Sequence, residues 1–169
     1  MTDRDKTGLL RALIDDNCHI SVYFTTPIDL HIAKQISFYS VSHLSNFTVK
    51  TVSDNKAVLH TEKLDIKKLY YVKFGAEKIE AIPYEILNNE EFVYRGDDLG
   101  VTYGKDSSVF KVYAPTANKI ILNIYNTLES EDKNSYELIE EERGVWSAQI
   151  KGDLLGKYYS YNCGGASAS

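Results

Sequence analysis

The sequence predicts an all-β protein of two small antiparallel β-sandwich domains. Short runs of β-branched and aromatic residues recur along the chain, and most are separated by turn-prone residues such as Ser53-Asp54-Asn55. Thirteen Tyr stand against one Trp and one Met, and Tyr favours strands because its ring packs on a pleated surface while its hydroxyl stays wet. No series of helices alternating with strands is present to build an α/β barrel.

From the amino terminus, Thr7 to Asp16 predicts a short helix, with Thr7 as cap and Leu9, Leu10, Leu13 and Ile14 on one side. The β pattern begins at His19: Ile20, Val22 and Phe24 share a face, and Pro27 closes the strand. Further strands are expected over Ile36 to Val41, Phe47 to Val52, Ala57 to His60, Leu69 to Phe74 and Lys78 to Ile82. Pro83 to Tyr94 breaks this rhythm, with one or two helical turns expected within Tyr84 to Glu91. The domain boundary is placed near Arg95, giving an amino-terminal accessory β domain with its connector over 1–95. A second strand series follows at Val101 to Tyr103, Val109 to Tyr113, Ile120 to Tyr125, Ser135 to Ile139, Val145 to Ile150 and Lys157 to Cys163. Residues 164–169, Gly-Gly-Ala-Ser-Ala-Ser, carry no apolar period and are expected to be a flexible linker or cloning scar. The natural chain is expected to continue past Cys163, since a tyrosine-rich strand such as Tyr158 to Tyr161 should need a partner on at least one edge.

Charge and composition remove several function classes. A formal net charge of -5 with scattered Lys and Arg opposes nucleic-acid binding, which needs a basic face. No run is long and apolar enough to cross a bilayer, and Gly8 to Ile14 lacks the form of a signal peptide, so no membrane partner and a cytoplasmic location are expected. Cys18 and Cys163 lie near opposite ends without metal or redox spacing, and are expected to be free, partly buried thiols. His19, His31, His43 and His60 show no ligand spacing; neither a metal nor any other cofactor is expected. The run Glu140-Glu141-Glu142 beside a turn is expected to be a solvated face.

Two signatures give the second domain a family resemblance. One is Gly96-Asp97-Asp98-Leu99-Gly100-Val101-Thr102-Tyr103 followed by Val109-Phe110-Lys111-Val112-Tyr113-Ala114-Pro115-Thr116-Ala117. The other is Gly144-Val145-Trp146 followed by Gly152-Asp153-Leu154-Leu155-Gly156-Lys157-Tyr158-Tyr159-Ser160-Tyr161. Together, over Gly96 to Cys163, they resemble the immunoglobulin-like, starch-binding-type module of carbohydrate-binding module family 48, in the form that precedes the catalytic barrel of type I pullulanases. Residues 1–95 resemble the additional amino-terminal region of such enzymes only in position and character.

The resemblance implies a non-catalytic region of an α-1,6-glucan debranching enzyme, with α-glucan and the catalytic barrel of the same parent chain as partners. Glycoside hydrolysis needs two carboxylic acids fixed across the scissile bond, and in this superfamily they belong to that barrel. The tryptophans with which related glycogen-binding modules hold sugar have no convincing equivalents here. A structural docking domain without sugar affinity therefore remains an alternative, as does a regulatory interaction module outside any glycosidase.

Alternation sorts the aromatics. Trp146 shares a face with Ala148 and Ile150 and is expected in the core. Tyr159 and Tyr161 share a parity with Cys163 and are assigned inward, whereas Tyr158, Ser160 and Asn162 are assigned outward. The candidate carbohydrate-binding residues are Tyr158 and Asn162 in the second domain and Tyr70 and Tyr71 in the first. No catalytic residue is assigned.

Overall fold

The structure, a computed structural model, describes residues 6–41, 43–129 and 131–164. The chain divides into two compact units, Met1–Asn89 and Glu90–Ser169, so the segment from Glu90 to Arg95 belongs with the second unit. Of the expected linker, only Gly164 is described, and it ends a strand; residues 165–169 lie outside the described residues.

The first unit contains β1 (Leu9–Ile14), β2 (His19–Phe24), a one-turn helix α1 (Leu30–Ala33), β3 (Ser37–Ser40), β4 (His43–Leu44), β5 (Phe47–Ser53), β6 (Lys56–Thr61), β7 (Tyr70–Phe74) and β8 (Glu77–Pro83). Its eight strands form one sheet in the order β4-β3-β7-β8-β1-β2-β6-β5. The sheet is mixed: β1 runs parallel to β8, whereas the other pairs are antiparallel. β8 pairs with β7 over Glu77 to Glu80 and with β1 over Ala81 to Pro83, so one strand passes between two parts of the sheet.

The helix expected over Thr7 to Asp16 is β1 instead. Its inward residues are Ala12 and Ile14, at 1% and 0% exposure, while Leu10 faces solvent. A helix this short is marginal on its own, whereas β1 as a strand joins ladders with both β2 and β8. Ile20, Val22 and Phe24 are fully buried, as the alternation of β2 requires, and Phe38, Leu59, Val72 and Ile86 complete the core. The turn expected at 53–55 is the β5–β6 hairpin, with Asp54 at φ 47. The expected helical turn after Pro83 is a 3₁₀ turn, Glu85–Asn88, which buries Ile86.

The second unit contains β9 (Gly100–Thr102), β10 (Ser107–Tyr113), β11 (Lys119–Tyr125), β12 (Lys133–Glu137), β13 (Ile139–Glu140), β14 (Val145–Lys151) and β15 (Tyr158–Gly164). It has two sheets, β13-β14-β10-β9 and β12-β11-β15. The strand expected over Ser135 to Ile139 is split between them. Leu138 is buried at the crossing and donates its amide to Ile120 O at 2.9 Å, so the residues on either side pair with different sheets. Phe110, Ile120, Leu122, Ile124, Leu138, Trp146 and Ile150 form the core. Trp146 is 5% exposed, and its indole Nε1 donates to Ala114 O at 3.1 Å, satisfying the one polar atom that its ring carries inward.

Candidate functional site

Ile120, Leu122 and Ile124 point inward from β11, so Ile121, Asn123 and Tyr125 point outward. The β11–β15 register sets Tyr125 opposite Tyr158, Asn123 opposite Ser160 and Ile121 opposite Asn162. One outward face therefore carries Tyr125 and Tyr158 at one end and Ser160, Ile121 and Asn162 further along, while Asn123 is buried at 6% exposure. Tyr125 Oη and Ser160 Oγ are 3.2 Å apart, and Ser135 Oγ donates to Asn123 Oδ1 at 2.7 Å across to β12. Beside the tyrosines, Lys157 Nζ donates to Asn126 Oδ1 at 2.8 Å. Tyr158 is 49% exposed and Asn162 is also exposed. The two lie about 13 Å apart along the strand.

β15 contributes no formal charge to this face from Tyr158 to Gly164, while β12 sets Lys133 opposite Tyr125 and Glu137 opposite Ile121, and Glu137 pairs with Lys119 at 2.8 Å. Tyr125 is the member of the face that sequence reasoning missed. Alternation from Ile124 could have turned it outward, but its placement opposite Tyr158 depends on register.

On the inner side of β15 the sandwich is open. A groove of about 400 Å³ is lined by residues including Val101, Tyr103, Phe110, Leu155 and Tyr159. Tyr159 faces the sandwich interior as assigned, with its ring centroid 5.3 Å from that of Phe110, yet it remains 46% exposed because the groove is open beside it. Tyr103 Oη donates to Asp153 Oδ1 at 2.8 Å, and the Leu155 amide donates to the same oxygen at 3.0 Å. These bonds, the backbone one foremost, hold the Asp153 carboxyl below its usual range; the Asp153 bond also pushes the Tyr103 phenol up.

The two tyrosines predicted in the first unit do not form a platform. Tyr70 is a core residue: it is 5% exposed, stacks on Phe38 with centroids 5.5 Å apart, and accepts the Asp65 amide at 2.9 Å. Strand parity decides this, since Tyr70 and Val72 point the same way into the interior. Tyr71 points outward but has Lys78 Nζ 4.0 Å from its ring centroid, a cation–π contact that occupies one face.

Elsewhere, His19 Nδ1 lies 2.8 Å from Asp16 and its Nε2 lies 3.1 Å from Lys50 Nζ, while its ring meets His60 edge-on at 5.0 Å. Among the described residues no His, Cys, Asp and Glu side chains are grouped to hold a metal ion. Both cysteines are free, but Cys163 is exposed rather than partly buried because β15 is a sheet edge.

Residues 98–168 match the family described as carbohydrate-binding module 48 (isoamylase N-terminal domain). The pullulanase of Bacillus subtilis (strain 168) is 33% identical over 73 residues, which are 43% of this chain and 10% of that protein. The match thus spans about a tenth of that relative. Among solved structures, the pullulanase from Bacillus acidopullulyticus superposes with a TM-score of 0.75 at 17% identity, covering 92% of this chain and 33% of that one. The Group B Streptococcus pullulanase SAP does so with a TM-score of 0.73 at 16% identity, covering 96% and 22%. For type I pullulanase from Bacillus subtilis str. 168, complexed with maltose, the TM-score is 0.61 at 21% identity, covering 95% and 24%. At these identities the structural likeness establishes the fold. By the module match and the curated relative, the chain is similar to a pullulanase region that carries a carbohydrate-binding module 48.

Proposed function

We propose that the chain is a non-catalytic accessory region of a pullulanase-type α-1,6-glucan debranching enzyme, and that it holds α-glucan on the outer face of β12-β11-β15. The observation that carries this reading is the outward Tyr125–Tyr158 pair, continued by Ser160 and Asn162, on a module of a carbohydrate-binding family. The phenol rings stack on the apolar faces of glucose units, while the Ser160 hydroxyl and the Asn162 amide meet sugar hydroxyls. Similar pullulanases have been crystallised with maltose and with maltotetraose, which places α-glucan in the ligand class of those proteins.

Hydrolysis belongs to the parent enzyme's catalytic barrel, which this chain supports. The isolated chain therefore releases no reducing sugar from pullulan.

Maltoheptaose titration followed by amide NMR tests the binding face. The expected affinity is weak, with Kd about 1 mM or roughly 4 kcal/mol, because a shallow face buries little area against the entropy of fixing a flexible sugar. Shifts are expected at Tyr125, Tyr158 and Asn162 and not at Tyr70. Tyr158→Ala should weaken binding about tenfold, or about 1.4 kcal/mol. Added salt should leave the affinity unchanged, since no counterions are released. Silence across this face at saturating sugar rejects the reading.

A second reading, structural docking on the barrel without sugar affinity, is favoured by the apolar side of the sandwich at the groove. There Leu155, Tyr103 and Val101 are 74%, 48% and 38% exposed.

A further inference from the structure

The segment Glu90–Asp98 joins the two strand series, and its sequence suggests a linker. In the structure it is bound to the outward side of β10 and β14 by side chains that neither the core nor the sugar face uses. Tyr113 Oη donates to Phe92 O at 2.7 Å. Arg143 Nη1 donates to Glu90 O and, at 3.3 Å, to Val93 O. Lys111 Nζ donates to Asp98 Oδ2 at 2.8 Å and lies 3.4 Å from Glu141 Oε2, while Tyr94 Oη donates to the other Asp98 oxygen. The segment is also tied to itself, because Arg95 pairs with Glu90 through two hydrogen bonds of 2.7 and 2.8 Å.

Burial supports the same picture. Lys111 is only 20% exposed at its side chain. Val145, which pairs with Tyr113 on the outward parity of β14 and lies outside the sandwich core, is 0% exposed.

Arg143 holds its place in an uncommon conformation. Its φ of 58 and ψ of 34 lie in the left-handed region that non-glycine residues rarely enter. Such a conformation persists where surrounding contacts hold it, and the contacts of Arg143 are the carbonyls of the segment. Glu141 likewise is engaged, accepting from Ser147 Oγ at 2.6 Å.

We infer that residues 90–98 are a strap built into the second unit, that Arg143 is its positioning residue, and that the strap covers Lys111 and Val145 at one end of the outer side of β10 and β14. It does not depend on sugar binding and stands or falls separately from that reading.

Limited trypsin digestion and backbone heteronuclear NOEs of the full chain test it. NOEs over 91–97 are expected to lie close to those of β10. Arg143→Gly removes the guanidinium while accepting the left-handed backbone without strain. It should lower the strap NOEs, speed cleavage after Arg95 at least tenfold and leave the β11 NOEs unchanged. Tyr113→Phe, which deletes one hydroxyl, should speed that cleavage about threefold. Trp146 fluorescence, whose ring sits in the core of this unit, is expected to keep its unfolding midpoint in Tyr113→Phe, confirming an intact fold. Low strap NOEs in the parent, or unchanged cleavage in Arg143→Gly and Tyr113→Phe alike, would overturn the proposal.

Discussion

Trp146 illustrates how much a single side chain carries in a small sandwich. Its ring lies among Phe110, Ile120, Leu122, Ile124 and Ile150, and its polar atom is satisfied by Ala114 O. Trp146→Ala is expected to cost about 3–5 kcal/mol, a large part of the roughly 5–15 kcal/mol available to a domain. Urea unfolding followed by circular dichroism should show a clearly lowered midpoint; an unchanged midpoint with lost glucan affinity would make Trp146 a sugar platform instead. Tyr161 is the opposite case. Its hydroxyl is buried with no hydrogen-bond partner, and an unsatisfied group of this kind costs on the order of 1 kcal/mol. Tyr161→Phe keeps the ring against the core and should raise stability slightly, by up to about 1 kcal/mol, seen as a higher midpoint.

Among the elements, strands were legible where apolar residues alternate and hidden where pairing decides. Ile20, Val22 and Phe24 announce β2 by period alone. β1 does not, because Leu9, Leu10, Leu13 and Ile14 fit a helical stripe as well as a strand, and only flanking ladders choose between them. The split at Leu138 is invisible for a similar reason: the residues on either side have strand character, and the change of sheet is a tertiary event. α1, absent from the sequence reading, is one turn long and is capped by Asp29, whose carboxylate accepts the Ile32 amide at 2.8 Å. The turn into β14 makes the sharpest demand on residue type. Gly144 has φ 74, and a Cβ there would meet Pro115 Cβ at 2.5 Å. Gly144→Ala should therefore destabilise the second unit by at least about 1–2 kcal/mol from the backbone alone, measured as a lowered denaturation midpoint followed by Trp146 fluorescence.

Over the whole molecule, stability should depend on pH at both extremes. Burial pushes the Tyr161 phenol up to about 12 from its ordinary 10.0. The neutral phenol is thus favoured in the folded state, so this contribution is fully present below pH 10 and is lost as pH rises from 10 towards 12. Tyr161→Phe should flatten that alkaline loss in midpoints compared at pH 8 and pH 11. In acid the signs reverse. The hydrogen bond from Lys111, followed by that from Tyr94, holds Asp98 below the usual carboxylate range, and the Arg95 guanidinium does the same for Glu90, beside which Arg143 also lies. Contributions from these carboxylates are present above their ordinary range and fade as pH falls through the depressed values. Backbone heteronuclear NOEs of the strap should fall there while Trp146 stays buried.

What the sequence determined by itself was the class and the family likeness. Alternating apolar residues and turn residues imposed strands, and the Gly-Asp-Asp-Leu-Gly and Gly-Lys-Tyr-Tyr signatures pointed to the module that residues 98–168 match. It also turned Tyr158 and Asn162 outward, because side-chain parity along a strand is local geometry. Tertiary structure decided what parity cannot. Register put Tyr125 beside Tyr158, while interior packing consumed Tyr70 against Phe38. A cation covered one face of Tyr71, and side chains from β10 and the turn before β14 drew Glu90–Asp98 onto the second unit. Each of these depends on which distant residues meet across a sheet or a core, and such meetings carry no period along the chain.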